Sequence, residues 1–84
     1  MRLSKEELLE KALSLVSRSP MHVSSEFGIV YRFSLDPERI RFFLNYLPKW
    51  KNGVRYYLIS EIRFGARDKI GLYLSEESGE LCVF

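Results

Sequence analysis

The second half of the chain consists of three segments in which apolar and polar residues alternate, separated by short turns. Residues 54–64, 69–75 and 80–84 show this alternation, which is the side-chain repeat of a β-strand. The turns between them, 65–68 and 76–79, are rich in Gly, Asp, Ser and Glu. Because strands joined by such short turns pair antiparallel with each other, these segments predict a meander of three strands.

The first half of the chain carries two helix signals. Ser4 and Glu7 have the spacing of a capping box, and apolar residues follow at steps of three and four until Pro20 ends the helix. Asp36 and Pro37 are typical of a second helix start. The predicted apolar stripe of this second helix, which ends before Pro48, contains Ile40, Phe43, Leu44 and Leu47.

Residues 28–35 alternate and predict one further strand, whereas 19–27 and 48–53 predict connections, the latter closing with the Asn52-Gly53 turn signal. The predicted order is therefore α-β-α-β-β-β, in a single globular domain of residues 1–84. We expect an α+β two-layer sandwich, with two helices on one face of a mostly antiparallel four-stranded sheet. The first strand must join that sheet, either at its centre or at an edge. The predicted core of the domain combines Phe33, Phe43, Leu58 and Leu72.

A two-layer fold leaves one sheet face without helices, and the alternation predicts which side chains occupy it. In strand 54–64 the inward set is Val54, Tyr56, Leu58, Ile62 and Phe64. The expected helix-free face carries Arg32, Arg55, Tyr57, Ile59, Glu61, Arg63 and Tyr73, with the loop residues Lys49, Trp50 and Lys51 beside it. Gly71 lies inside a strand, which is costly unless an aromatic ring such as Tyr57 or Tyr73 packs over it.

Composition excludes several function classes. The single cysteine, Cys82, excludes a disulfide scaffold, and one His with one Cys cannot provide the four ligands of a structural zinc site. His22, Ser24 and Ser25 lie close in sequence without any nucleophile-elbow pattern, and no glycine-rich phosphate loop is present. We therefore expect no enzymatic activity, no metal and no cofactor.

Two partner classes remain for the predicted Arg/Tyr face. The principal expectation is a protein partner, as for a small inhibitor, adaptor or immunity-type protein. The alternative is RNA or DNA, since arginines pair with phosphates and tyrosines stack on bases, although a net charge of +2 is modest for that role. The apolar residues Leu81, Val83 and Phe84 suggest a homodimer through the last strand. A charged N-terminus without an apolar run predicts a cytoplasmic protein with no membrane association.

Overall fold

The computed structural model describes residues 2–84 and has an α+β architecture. Its two helices and six strands follow the order α1, β1, β2, α2, β3, β4, β5, β6. Their bounds are α1 Lys5–Ser14, β1 Met21–Ser24, β2 Val30–Phe33, α2 Pro37–Phe43, β3 Lys49–Lys51, β4 Val54–Arg63, β5 Lys69–Ser75 and β6 Leu81–Val83, with a short 3₁₀ turn at Val16–Arg18 after α1. None of the helices formed by residues 2–84 has the length and apolar character needed to cross a membrane.

Both helices begin at the caps that the sequence predicts. The hydroxyl of Ser4 accepts a hydrogen bond from the backbone N–H of Glu7, and the Glu7 carboxylate accepts one from the Ser4 N–H. At α2 the Asp36 carboxylate accepts from the N–H of Glu38. Because α2 ends at Phe43, Leu47 lies beyond the helix and is 96% exposed, so its predicted place in the apolar stripe is wrong.

The strand predicted at residues 28–35 pairs with a segment that we expected to be a connection. Residues Met21–Ser24 form β1 and pair antiparallel with β2, and the two strands make a separate two-stranded sheet. The expectation that this strand joins the main sheet is therefore wrong. The backbone groups of an isolated strand still require hydrogen-bond partners, and β1 supplies them.

The main sheet is four-stranded and antiparallel, in the order β3-β4-β5-β6, and both helices pack against it. Its first strand, β3, lies in the segment that we expected to be a loop. The predicted Asn52-Gly53 turn is confirmed: both residues have positive φ, 52° and 77°, and they connect β3 to β4 as a two-residue hairpin turn. The short β3 is thus the fourth strand of the sheet, in place of the strand at 28–35 that the sequence predicted there.

A β-bulge in β4 changes which side chains of this strand face the helices. Leu58 pairs with Tyr73 and Ser60 with Leu72, so Ile59 is an extra residue without a partner on β5. The face assignment made from strict alternation is confirmed after the bulge, where Ile62 faces the helices, and is wrong before it. Tyr57 and Ile59 lie in the core, whereas Leu58 is on the opposite face and is half-buried.

The core lies between the helix-facing side of the sheet and a layer made of α1, α2 and the β1–β2 hairpin. Its fully buried members include Leu8, Ala12, Phe33, Ile40, Ile59, Leu72 and Leu74. The hairpin contributes alternate residues only, because Met21 and Phe33 form a buried cross-strand pair while His22 and Arg32, the next pair, are exposed. Of the predicted core set, Phe33, Phe43 and Leu72 are buried and Leu58 is not.

Candidate binding surface

The face of the main sheet that carries no helix holds a compact group of aromatic and basic side chains. Phe84 packs edge-on against Tyr56 and Tyr73, with ring centroids 5.1 Å apart in both pairs. The ammonium groups of Lys51 and Lys49 lie 4.4 and 5.2 Å from the centroid of the Phe84 ring. We name these five residues the lysine–aromatic cluster. Four different segments of the chain contribute to it, so only the folded sheet assembles it.

Gly71 explains how Tyr73 lies so close to the sheet. A Cβ atom at position 71 would be 2.5 Å from Cε2 of Tyr73 and 2.9 Å from Cδ1 of Leu58, far inside van der Waals contact. The expectation that Tyr73 or Tyr57 covers this glycine is confirmed for Tyr73. Burial raises the pKa of the Tyr73 hydroxyl above its ordinary value, and the charge of Glu61 raises it further.

Four of the eight predicted site residues lie on the helix-free face. Lys49, Lys51 and Tyr73 belong to the lysine–aromatic cluster. Arg63 is further along β4, where its Nε donates to the Glu61 carboxylate at 3.0 Å. The side chain of Glu61 is only 5% exposed, so the positive charge of Arg63 is already matched by a covered carboxylate.

Three of the other four residues, Arg32, Arg55 and Tyr57, lie elsewhere, so the expectation that they share this face is wrong. Trp50, expected in a loop beside the face, lies in β3 on the side opposite to Lys49 and Lys51. Tyr57 faces the core because the bulge follows it. Arg55 lies on the same side as Tyr57, and its guanidinium donates two hydrogen bonds to the Glu76 carboxylate. Trp50 opposes Arg55, is 60% exposed, and has the Arg55 guanidinium 5.5 Å from its ring. Arg32 is on the solvent side of the β1–β2 hairpin, since β2 does not belong to the main sheet.

Two members of the cluster do not follow from the sequence patterns. Strict alternation assigns Tyr56 to the core, and the apolar residues of the last strand suggest Phe84 only as part of a dimerising edge. The backbone of Phe84 exchanges two hydrogen bonds with Gly71, which places its ring on the helix-free face. A signal for Phe84 did exist, because a glycine inside a strand favours an aromatic neighbour on the adjacent strand.

The tip of the β1–β2 hairpin is a second feature that the sequence did not reveal. Phe27 is 82% exposed, and Ile29 and Val30 are more than half exposed. The tip is held in a defined turn, because the Ser25 N–H donates to the Ile29 carbonyl and the Gly28 N–H donates to the Ser25 carbonyl. The Phe27 ring is therefore presented to solvent from a hydrogen-bonded turn.

Two open clefts separate this tip from β6. The first has a volume of about 360 Å³ and is lined by cluster residues on one wall and by Ser24, Ser25 and Glu26 on the other. The second, of about 240 Å³, is mainly apolar and includes Phe27, Ile29 and Val83. Phe84 borders both clefts. The lysine–aromatic cluster is thus continuous with the exposed apolar tip.

The metal-ligating and nucleophilic side chains of the described residues can be located in the structure. Within residues 2–84, no three His, Cys, Asp or Glu side chains are grouped so that they could hold a metal ion. Cys82 is on the helix-free face beside the cluster, and burial raises the pKa of its thiol, an effect that the positive charge of Lys51 partly opposes. A thiol with a raised pKa is a weak nucleophile near neutral pH.

Comparison of the chain with protein-family models, with curated proteins and with solved structures finds no match.

Proposed function

We propose that this chain is a non-catalytic protein-binding module that acts through its helix-free sheet face. The observation that carries this proposal is the lysine–aromatic cluster, in which three aromatic rings and two lysines are grouped on a sheet face that no helix covers. Aromatic side chains supply large and rigid contact area, and they are enriched in the buried centres of protein interfaces.

Two features favour a protein partner over a nucleic acid. The rings of the cluster pack edge-on against each other and are only partly exposed, with lysine ammonium groups close to two of them, so none is a free platform for a base. The cluster is also bordered by the exposed apolar residues Phe27 and Ile29, which line a cleft together with Phe84. Contiguous apolar side chains on a surface are typical of protein contacts.

Nucleic-acid binding remains the second candidate function, and one observation favours it. Tyr73 lies directly over Gly71 on an open antiparallel sheet, and the Lys49 ammonium is 5.7 Å from its ring centroid. An aromatic residue flanked by a cation on a sheet surface is a common arrangement for stacking a single-stranded base.

A capture experiment with matched variants tests the proposal. The bait variant Tyr56→Ala/Tyr73→Ala removes two rings from the cluster. The control variant Phe42→Ala/Tyr46→Ala removes two rings at the end of α2, where both side chains are about half exposed and pack edge-on at 4.9 Å. We expect crosslinking to recover the same protein with the wild type and the control, but not with the cluster variant.

Nuclease treatment and salt decide between the two candidates. Binding to phosphates weakens steeply between low and moderate salt, whereas an interface with a large apolar part changes little. Recovery that is lost after nuclease treatment would refute the protein proposal and support the second candidate. Equal recovery by the cluster variant would show that the helix-free face is not the binding surface.

A further inference from the structure

The two lysines of the cluster both lie against the Phe84 ring, and neither forms an ion pair with a carboxylate of residues 2–84. Both ammonium groups lie within 5.2 Å of the Phe84 ring centroid. The ion pairs formed by residues 2–84 are Arg55–Glu76 and Arg63–Glu61, and neither includes a lysine. Like charges held close together are unfavourable unless an opposite charge lies between them, and the negative face of an aromatic ring compensates only part of that cost. The site therefore favours an anion.

The cleft beside the lysines limits which anion fits. Lys51, Asn52 and Tyr56 line one wall of the larger cleft, and Ser24, Ser25 and Glu26 line the other. The carboxylate of Glu26 forms no ion pair with Lys51, and its negative charge disfavours a ligand that carries a continuous run of negative charges. A single acidic group flanked by uncharged ones is more compatible with this cleft than a polyphosphate backbone.

The adjoining apolar cleft and the β6 edge indicate what surrounds that acidic group. The apolar cleft includes Phe27, Ile29 and Val83, which suit an aliphatic side chain. Gly71 and Phe84 form a hydrogen-bonded pair, so Val83, the residue before Phe84, directs its N–H away from β5. An outward N–H on an edge strand is a donor that another polypeptide backbone can use.

We propose that the helix-free face recognises an acidic and apolar polypeptide segment of the partner. A carboxylate of the segment lies between Lys49 and Lys51, and a neighbouring aliphatic side chain occupies the cleft beneath Phe27. This inference rests on the proposed function, and it adds the chemical character of the partner to it. Glu26, Glu61 and Glu80, which precedes β6, are nearby negative charges, and they restrict the segment to few acidic residues.

The sole cysteine provides a local readout for the test. Cys82 lines the larger cleft, so a bound segment should slow its alkylation by iodoacetamide, an uncharged reagent. The probe is a capped leucine–glutamate–leucine tripeptide. Its matched control is leucine–glutamine–leucine, which has nearly the same shape and no charge, and the third ligand is a short oligothymidylate.

We expect the glutamate peptide to protect Cys82 in the wild type more strongly than the glutamine peptide or the oligothymidylate does. The variant Lys49→Gln/Lys51→Gln should need about tenfold more glutamate peptide for the same protection, because two exposed charge pairs are lost. Protection is compared as a ratio within each variant, since removing Lys51 itself alters the thiol. The control Lys5→Gln/Arg18→Gln removes two charges far from the face and should behave as the wild type.

Three results would overturn the inference: equal protection by the glutamine peptide, protection by the oligothymidylate alone, or no protection by any ligand. The capture experiment separates such a failure from failure of the proposed function. If the Lys49→Gln/Lys51→Gln bait still recovers the protein that the Tyr56→Ala/Tyr73→Ala bait loses, the face binds a protein but does not select it by acidity. If neither cluster variant affects recovery, the proposed function also fails.

Discussion

The bulge in β4 leads to a prediction about Ile59 and Leu58, two neighbouring residues of equal size. Ile59 is 1% exposed in the core, whereas Leu58 is half-buried on the helix-free face. Strict alternation predicts the reverse, with Leu58 in the core and Ile59 on the helix-free face. The variants Ile59→Ala and Leu58→Ala each remove three carbon atoms from adjacent positions on one strand, so the comparison isolates burial.

The expected magnitudes follow from burial. Each buried methylene contributes about 0.8 kcal/mol to the free energy of unfolding, so three at Ile59 account for about 2.4 kcal/mol, and the cavity left behind increases the loss to about 3–4 kcal/mol. Leu58 keeps part of its contact with water in the folded state, so we expect a loss of about 1–2 kcal/mol there. Domains of this size have a total stability of roughly 4–13 kcal/mol, so the first loss is a large fraction of the whole.

Urea denaturation followed by circular dichroism measures both losses directly. The melting temperature of Ile59→Ala should fall by more than about 12 °C, since 1 kcal/mol corresponds to about 4–8 °C in a domain of this length. If Leu58→Ala were the more destabilising variant, β4 would have no bulge, and the residues assigned to the helix-free face would have to be exchanged with those in the core.

Three further predictions test other parts of the structure. Phe43→Ala should lower the free energy of unfolding by about 3–5 kcal/mol, because Phe43 is buried beneath α2; an unchanged melting temperature would contradict the assigned helix face. The pKa of the Tyr73 hydroxyl is raised by burial and by the charge of Glu61. Above pH of about 10 the unfolded chain therefore releases the hydroxyl proton more readily than the folded protein does, and the free energy of unfolding should fall as pH rises. In Tyr73→Phe this fall should be smaller. The outer edge of β6 is not paired with another strand, and self-association through it predicts a dimer in equilibrium sedimentation at micromolar concentrations. Val83→Pro should disrupt the dimer, because the N–H of Val83 points outward. A monomeric wild type would contradict the dimer.

The sequence predicted the fold well wherever a local signal determines the conformation. The Ser4 capping box, the Asp36 cap and the Asn52-Gly53 turn are all present as expected, because each depends on residues a few positions apart. The partner of the strand at 28–35 could not be predicted in the same way. β1 spans only Met21–Ser24, and a strand this short shows too few alternations to be distinguished from a loop.

The site was harder to predict than the fold, because one extra residue in β4 changes which side chains of the strand lie on each face of the sheet. A shift by one residue moves every following side chain to the other side of a sheet. Arg55 and Tyr57 were therefore expected on the helix-free face and lie on the other side, whereas Arg63, beyond the bulge, was placed correctly. No residue type near Ile59 marks the bulge, since neither Gly nor Pro is present between 54 and 64.

The same bulge explains why this sheet face can be specific. An uninterrupted β4 would put Arg55, Arg63 and Tyr57 on the helix-free face, with charges spread along the whole strand. With the bulge, Arg55 is paired with Glu76 on the other side and Arg63 is matched by Glu61. The lysines beside Phe84 are then left as the basic groups of the cluster without a carboxylate partner among residues 2–84. Lys69, opposite Arg63 on β5, is a separate unmatched charge at the other end of the face. Unmatched charges at separate points let a surface distinguish partners by where their acidic group lies, and this is the property that the lysine and glutamine-peptide experiments measure.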